Sequence, residues 1–438
     1  MLLLRFKATN HRSLRDPAVL SLMRSNLRRR VPSDGDWDGA TVRVAGIYGA
    51  NASGKSTLLD AMEFLRRAVR YSATSWGENS SFPYHPFALD KKSHEDVSTY
   101  EIDFVFTGVR YRYGFESNAT GIHGEWLYSY HTPRRKMLFE RTGPGGETIT
   151  FGRSLTGENA TISKLVRPNA LFLSVAANNN HPALKGIHHR ISSHLRYAQF
   201  NEHDRRSRLQ WVRELLEDES LLKKAKALLR LADLGITSVD LEVEDFDDDT
   251  LETMKAMFQS IATAVDQKPD TFADLLEKIR KKIRFAHGPD DEGNSHFLPL
   301  EAESSGTIAW LTLGVPALYS LKYGDVFMVD EIDSSLHPKL TAALISMFKD
   351  PGINPKGAQL VFTSHDTALM GNLVGDLLSE EEVWFTDKQE DGSTELYALQ
   401  EFPTRRGDNF ERRYLQGRYG AIPMVDADEL RAALTVGA

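Results

Sequence analysis

The residues with the most chemistry in them run from Gly49 to Thr57: Gly49-Ala50-Asn51-Ala52-Ser53-Gly54-Lys55-Ser56-Thr57. Glycines at 49 and 54 let backbone N–H groups turn inward around a triphosphate with no Cβ in the way. Lys55 then reaches the β- and γ-phosphates, and the Ser56 hydroxyl can ligand Mg²⁺. Such a loop needs a strand before it and a helix after it. Val44-Ala45-Gly46-Ile47-Tyr48 reads as the strand, and Leu58, Leu59, Met62 and Leu65 recur at the helical period, so the helix dipole adds to the anion site.

A second set of chemical residues lies in the last third of the chain. Glu303-Ser304-Ser305-Gly306-Thr307 is small and polar and opens an apolar helical stretch. Asp325-Val326-Phe327-Met328-Val329-Asp330-Glu331 is a buried strand that ejects two carboxylates at its C-terminal edge, where ligand sites of α/β proteins lie. Beside a phosphate loop, Asp330 can hold Mg²⁺ through water and Glu331 can polarise the water that attacks the γ-phosphate. Gln359-Leu360-Val361-Phe362-Thr363-Ser364-His365 is another buried strand, and its terminal His365 is placed for a γ-phosphate or water-positioning role.

Together these motifs resemble the ATP-binding-cassette type of ATPase. Gly49–Ser56 resembles its Walker A, Ser304-Ser305-Gly306-Thr307 a diverged signature motif, Asp330-Glu331 its Walker B, Asp333-Ser334-Ser335-Leu336 its D-loop and His365 its switch histidine. The resemblance implies ATP and Mg²⁺ as ligands. It implies nucleotide contacts from Gly49, Asn51, Ser53, Gly54, Lys55, Ser56, Thr57, Ser304, Ser305 and Gly306, metal contacts from Ser56 and Asp330, and catalytic roles for Glu331 and His365. The signature residues would cap the nucleotide held by an opposite protomer, so a homodimer or higher homo-oligomer is implied. Asn51, the Asn10/Ser13 hairpin and the string Asp330-Glu331-Ile332-Asp333-Ser334-Ser335-Leu336-His337-Pro338 are similar to the soluble RecF, SMC and OLD branch. The glutamine that links metal to attacking water in that family has no evident counterpart, and His85 lies in about the right region.

Residues 402–423 resemble the tail of bacterial RloA/AbiL-type ATPases, which look like anti-phage defence or abortive-infection proteins encoded beside an RloB-type nuclease. That resemblance implies a sensor or regulator subunit with a separate effector nuclease. A RecF-like DNA-repair ATPase that binds DNA directly is the alternative, and a transporter energiser is the weakest reading. The strip interleaves Arg405, Arg406, Arg412, Arg413 and Arg418 with Phe410, Tyr414 and Tyr419, which suits a phosphate backbone or an acidic partner.

The elements that must position these residues follow from periodicity. Residues 2–22 read as two short strands around a turn, leading into the phosphate-loop strand. Tyr100–Phe106, Tyr111–Phe115 and Glu125–Tyr128 alternate as an antiparallel meander with aromatic residues on its buried face. From 160 to 300 the period changes to 3.6: one amphipathic pattern runs through Leu209–Leu229 and another through Phe272, Leu275, Leu276, Ile279 and Ile283. The expected fold is therefore α/β, an ABC-ATPase-type mixed sheet with an antiparallel β subdomain and a helical insertion. The expected domains are 1–160, 161–300 and 301–438. Arg28-Arg29-Arg30 and the acidic run Glu242–Asp249 read as solvated loops.

Composition narrows the function classes. Hydrophobic residues at 41% and charged at 26% fit a globular chain, not a disordered one. A net charge of −8 carries no global nucleic-acid signature, so any such contact must be a local basic patch. Zero cysteines exclude disulfides and thiolate metal sites and fit the cytoplasm. No uninterrupted apolar span of membrane-crossing length occurs, so no membrane partner is expected.

Overall fold

The N-terminal segment forms β1 (Leu2–Thr9) and β2 (Ala18–Ser21), an antiparallel pair whose alternating apolar residues face inward. The computed structural model describes the chain except residues 25–31, 33–34, 77–81, 200–201, 233–234, 265–270, 290–294, 406, 424–430, 432–433 and 436–438. The Arg28-Arg29-Arg30 run and Arg406 lie outside the described residues. By contacts the chain divides into two units: Met1–Tyr197 with Tyr323–Asp333 and Thr341–Ala438, and Ala198–Lys322 with Ser334–Leu340. The boundaries expected at 160 and 300 do not coincide with this division, because residues 161–197 belong to the first unit and the second runs on to Lys322.

In the first unit, β3 (Val44–Tyr48) is buried along its whole length and feeds the helix α1 (Lys55–Tyr71). The meander follows as β4 (Ser98–Phe106), β5 (Val109–Asn118), β6 (Gly121–Tyr130), β7 (Lys136–Thr142) and β8 (Ile149–Phe151). With the first two strands it makes a seven-stranded antiparallel sheet, order β2-β1-β4-β5-β6-β7-β8. After β9 (Leu195–Ala198), the chain returns to the first unit as β13 (Val326–Val329), β14 (Gln359–Thr363), β15 (Val383–Lys388) and β16 (Thr394–Ala398). These and the phosphate-loop strand form a mixed six-stranded sheet, order β16-β15-β3-β14-β13-β9. Its central pairs β13·β14, β14·β3 and β15·β3 are parallel, while β15·β16 is an antiparallel hairpin. The parallel strands read as continuous apolar runs because both faces are covered.

One core cluster joins both sheets to α1. Leu58, Leu59, Met62 and Leu65 of the helix are buried with Leu3, Phe6, Tyr100 and Phe115 of the antiparallel sheet and with Ala45, Ile47, Met328 and Val361 of the mixed sheet. The expected aromatic face is there: Tyr100 packs on Phe64 and Phe115 at ring separations of 4.8 and 5.1 Å. Where the pairing of β1 with β4 shifts register between Leu3 and Arg5, the Gln359 amide takes over. Its Oε1 accepts from Leu3 N–H at 2.6 Å and its Nε2 donates to Leu3 O at 2.9 Å, tying the two sheets together.

The far end of α1 is fixed by a buried charge. Glu125, fully buried on β6, accepts N–H groups of Phe172 (2.6 Å) and Leu173 (3.0 Å) and the Tyr113 hydroxyl (3.1 Å), with Arg141 Nη1 at 3.9 Å. Burial pushes its carboxyl above the ordinary range, against the pull of Arg141 and the N–H donors. It thereby holds the start of the helix Phe172–Asn178. Ser174 of that helix donates to Val69 O (2.6 Å) and accepts from Ser72 (3.2 Å) at the end of α1.

The second unit holds the helices Glu202–Leu215, Glu219–Leu231, Asp248–Ala264 and Phe272–Arg280. It is not purely helical. β10 (Ile236–Val243), β11 (Lys281–Pro289) and β12 (Ser295–Pro299) form a three-stranded antiparallel sheet. Ile283, expected on the last helix, lies on β11, because Lys282-Ile283-Arg284-Phe285 alternates with period two and buries Ile283 and Phe285. The acidic run is structural: Glu244 pairs with Lys282 at 2.5 Å, Asp245 pairs with Arg280, and Asp247 accepts from Thr250 N–H at 2.7 Å at the head of a helix. No cluster of metal-ligating side chains and no helix long and apolar enough to cross a membrane occurs among the described residues.

Candidate functional site

The phosphate loop leaves the end of β3 and closes against the β15–β16 hairpin. Gly49 has φ +155° and Gly54 φ +106°. A Cβ at Gly49 would overlap Thr386 O and sit 2.6 Å from Ser53 Oγ, and one at Gly54 would overlap the Thr394 side chain. Glycine is thus required by the backbone angle and again by the close approach of the hairpin. Ser53 is buried, its Oγ 2.7 Å from Thr386 Oγ1, while Thr394 Oγ1 donates to Ser53 O at 2.8 Å. Of the expected nucleotide contacts, Ser53 and Gly49 are thus engaged in the loop's own shape, the Ser53 N–H donating to Ala50 O at 3.2 Å. Ala52 takes φ +61° without being glycine, a conformation that costs an alanine about 1 kcal/mol.

Gly54 precedes α1 with no side-chain cap, so the first-turn N–H groups of Lys55 and Ser56 have no acceptor within the helix. Lys55 is 5% exposed and folds back so that Nζ donates to Gly49 O (2.9 Å) and Ala50 O (3.0 Å). Burial pulls its pKa down to about 8, against the opposing charges of Asp330, Glu331 and Asp333.

Asp330 and Glu331 follow β13. Asp330 Oδ1 accepts the Ser56 hydroxyl at 2.9 Å and the Thr363 hydroxyl at 2.7 Å. Thr363 in turn accepts the Glu331 N–H at 2.7 Å, so one hydroxyl at the end of β14 orients both carboxylate residues. Glu331 is exposed and held at φ +53°, a left-handed conformation of the kind stored at functional sites. His365, also exposed, is placed by its N–H on Asp333 Oδ1 at 3.3 Å.

A cavity of about 810 Å³, within the usual range for ligand sites, gathers Asn51, Gly54, Lys55, Ser56, Thr57, Glu331 and His365. All belong to the first unit. Hydroxyl and carboxylate oxygens from Ser56 and Asp330 are the donors a hard divalent cation takes. The expected signature residues belong to the second unit, where Ser304 Oγ accepts the Thr307 N–H at 3.1 Å and caps the helix Ser305–Tyr323. Ser304 and Ser305 are exposed at that helix start.

Three residues in or around the cavity, Arg12, Lys388 and Thr363, were not singled out by any sequence motif. Arg12 and Lys388 add two cations to its wall, and Ser13 donates to Thr57 Oγ1 at 3.2 Å. Thr363 sits behind the carboxylates. Arg12, at φ +50°, is anchored by Nε on Asp60 Oδ2 at 2.8 Å, where His11 Nε2 also binds at 2.8 Å. Burial works to raise the Asp60 carboxyl, but the His11 hydrogen bond and the electrostatic pull of His11, Arg12 and His85 hold it below the ordinary range. The Arg12 signal was its place next to the Asn10/Ser13 turn. His85 does not take the expected place of a water-positioning residue. Its ring packs on His11 and Phe64, at 6.1 and 5.9 Å between centroids, and its carbonyl accepts the Arg12 N–H at 2.7 Å.

Residues 44–371 match the family described as an AAA domain, putative AbiEii toxin, type IV TA system. No curated protein is matched by the sequence. Among solved structures the chain is similar to the Smc head domain of Pyrococcus furiosus, with an extended coiled coil and bound to the C-terminal domain of ScpA. The identity is 11% and the TM-score 0.35, over 91% of this chain and 96% of that one. It is similar also to the Smc head domain with a coiled coil and joint of Pyrococcus yayanosii, at 11% identity and TM-score 0.34, over 91% and 99%.

Proposed function

Because the chain belongs to the family of AAA domains described as putative AbiEii toxins of type IV toxin–antitoxin systems, we propose that it is a Mg²⁺-dependent ATPase. The observation that carries the proposal is the convergence, on one cavity, of the Lys55 loop with the Ser56–Asp330–Thr363 hydrogen-bond chain, Glu331 and His365. Ser56 and Asp330 would hold Mg²⁺, whose charge offsets that of the phosphate oxygens. Lys55 Nζ exchanges its two loop carbonyls for phosphate oxygens, and the free N–H groups of α1 bind further oxygens. Glu331 accepts the proton of the attacking water, with His365 beside the terminal phosphate.

The working form in this proposal is a homodimer in which Ser304, Ser305 and Gly306 of one protomer complete the site of the other through their helix N-terminus. Its role is that of a sensor or regulator of a separate effector in anti-phage defence, a reading supported by the toxin–antitoxin description of the family and by the sequence resemblance of the tail. The test is complementation. Lys55→Ala and Ser305→Arg proteins, each inactive alone, regain part of their ATP hydrolysis when mixed, through one intact hybrid site. Folded mixed dimers with no activity would refute the composite site.

A further inference from the structure

The nucleotide cavity leaves the C-terminal strip unexplained. Its aromatic residues are anchors. Tyr414 and Tyr419 are buried and stack on Phe385 of β15 at 5.3 and 5.6 Å, Tyr397 of β16 donates to Tyr419 O at 2.7 Å, and the Tyr414 hydroxyl donates to Ala421 O at 2.8 Å. Of its arginines, Arg413 is used internally, on Asp408 at 2.7 Å. Arg405, Arg412 and Arg418 are exposed, and no ion pair or hydrogen bond engages their guanidinium groups among the described residues.

The short helix Phe410–Leu415 separates these roles by face. Glu411 and Tyr414, three residues apart, point inward, and Arg412 and Leu415, also three apart, point outward, with Leu415 60% exposed. Beside it lies Leu373, 80% exposed, in a segment held by Asn409 Nδ2 on Asn372 Oδ1 at 3.3 Å. The exposed Leu415 and Leu373 and the exposed Arg412 and Arg418, whose guanidinium groups engage no partner among the described residues, thus present both an apolar and a cationic demand on and next to this short helix.

We infer that this strip, with Arg412, Arg418, Leu415 and Leu373 at its centre, is a docking surface for an acidic amphipathic segment of a partner protein. The inference deepens the regulator reading above by giving the partner's chemistry. Charge complementarity selects an acidic occupant, and the leucines select one that also brings apolar side chains. A nucleic acid fits less well: the rings that would stack on bases are already buried on Phe385, the leucines would gain nothing from a phosphate backbone, and the chain as a whole carries −8.

The test measures binding of a fluorescent Glu/Leu amphipathic peptide and of a fluorescent DNA duplex to the full chain. The peptide is expected to bind, to weaken by about tenfold or more in the Arg412→Glu/Arg418→Glu protein, and to weaken several-fold in Leu415→Ser, which leaves the charges in place. All three positions are exposed, and unchanged thermal unfolding and nucleotide binding verify the fold. Failure of the peptide to bind, binding indifferent to these substitutions, or tighter arginine-dependent binding of the duplex would overturn the proposal. ATP hydrolysis by the same preparations is read separately. Hydrolysis without peptide binding sinks the docking surface alone, and peptide binding without hydrolysis sinks the ATPase reading alone.

Discussion

Ser56 donates its hydroxyl to Asp330 Oδ1 at 2.9 Å, linking the head of the phosphate-loop helix to the end of a strand 274 residues later. Asp330 keeps its second donor, Thr363, whatever happens at position 56. Ser56→Ala is therefore expected to leave the fold and metal-free nucleotide binding intact and to lower Mg²⁺-dependent affinity by roughly tenfold to a hundredfold. Nucleotide titrations with and without Mg²⁺ check this, and equal affinity under both conditions contradicts it.

Glu331 is exposed, and its backbone is held from behind by Thr363, so Glu331→Gln changes chemistry without changing geometry. Hydrolysis should fall by roughly 10²–10⁴ while ATP binding persists, and ATP should then trap the chain in the proposed dimer, read as a shift in mass by size-exclusion chromatography. A wild-type turnover rate in this variant would remove Glu331 from the mechanism.

Ala52 stands at φ +61°, so Ala52→Gly relieves backbone strain in the loop. The relief is about 1 kcal/mol, offset in part by glycine's greater freedom in the unfolded chain. The variant should unfold at the same or slightly higher denaturant concentration and still bind nucleotide. A clear loss of stability would show that the alanine methyl makes a contact that outweighs the strain.

Arg141 and Glu125 are both fully buried, and the arginine also donates to Ala170 O at 2.7 Å and Gly143 O at 2.8 Å. Arg141→Met leaves Glu125 without a counterion and should destabilise by roughly 3–5 kcal/mol. Adding Glu125→Gln should recover part of the loss, because burial already disfavours the charged carboxylate. Urea unfolding of the two single variants and the double variant measures the coupling, and strict additivity would show that the pair does not interact.

The phosphate loop, both carboxylates and His365 were readable because each is a local string, a loop or a strand end whose chemistry lies within a few residues. The outer wall of the loop was not. Thr386 and Thr394 meet Ser53 across more than 300 residues, and a threonine in a strand advertises nothing but β-propensity. Thr363 was hidden in the same way, although it sits two residues before the histidine that was identified. The β10–β12 sheet was missed because Ile283 extends a helical period by coincidence, while the alternation that governs it spans only a few residues. The tail's arginines were legible as a group. Which of them stay free was settled only by Asp408 and the inward face of one short helix.

The hairpin that walls the loop also sets the order in which the site can come into being. The sequence match to the family ends at residue 371, yet Thr386 and Thr394 beyond it hold Ser53, and Gln359 holds Leu3 across 356 residues. During synthesis the Lys55 loop therefore leaves the ribosome long before its walls exist, and contacts of such separation form late. A nascent chain cut at the family boundary would carry every nucleotide motif without a closed cradle to put them in. ATP competence should switch on only once the β15–β16 hairpin has emerged, which makes Thr386 and Thr394 the gatekeepers of a loop translated more than 300 residues before them.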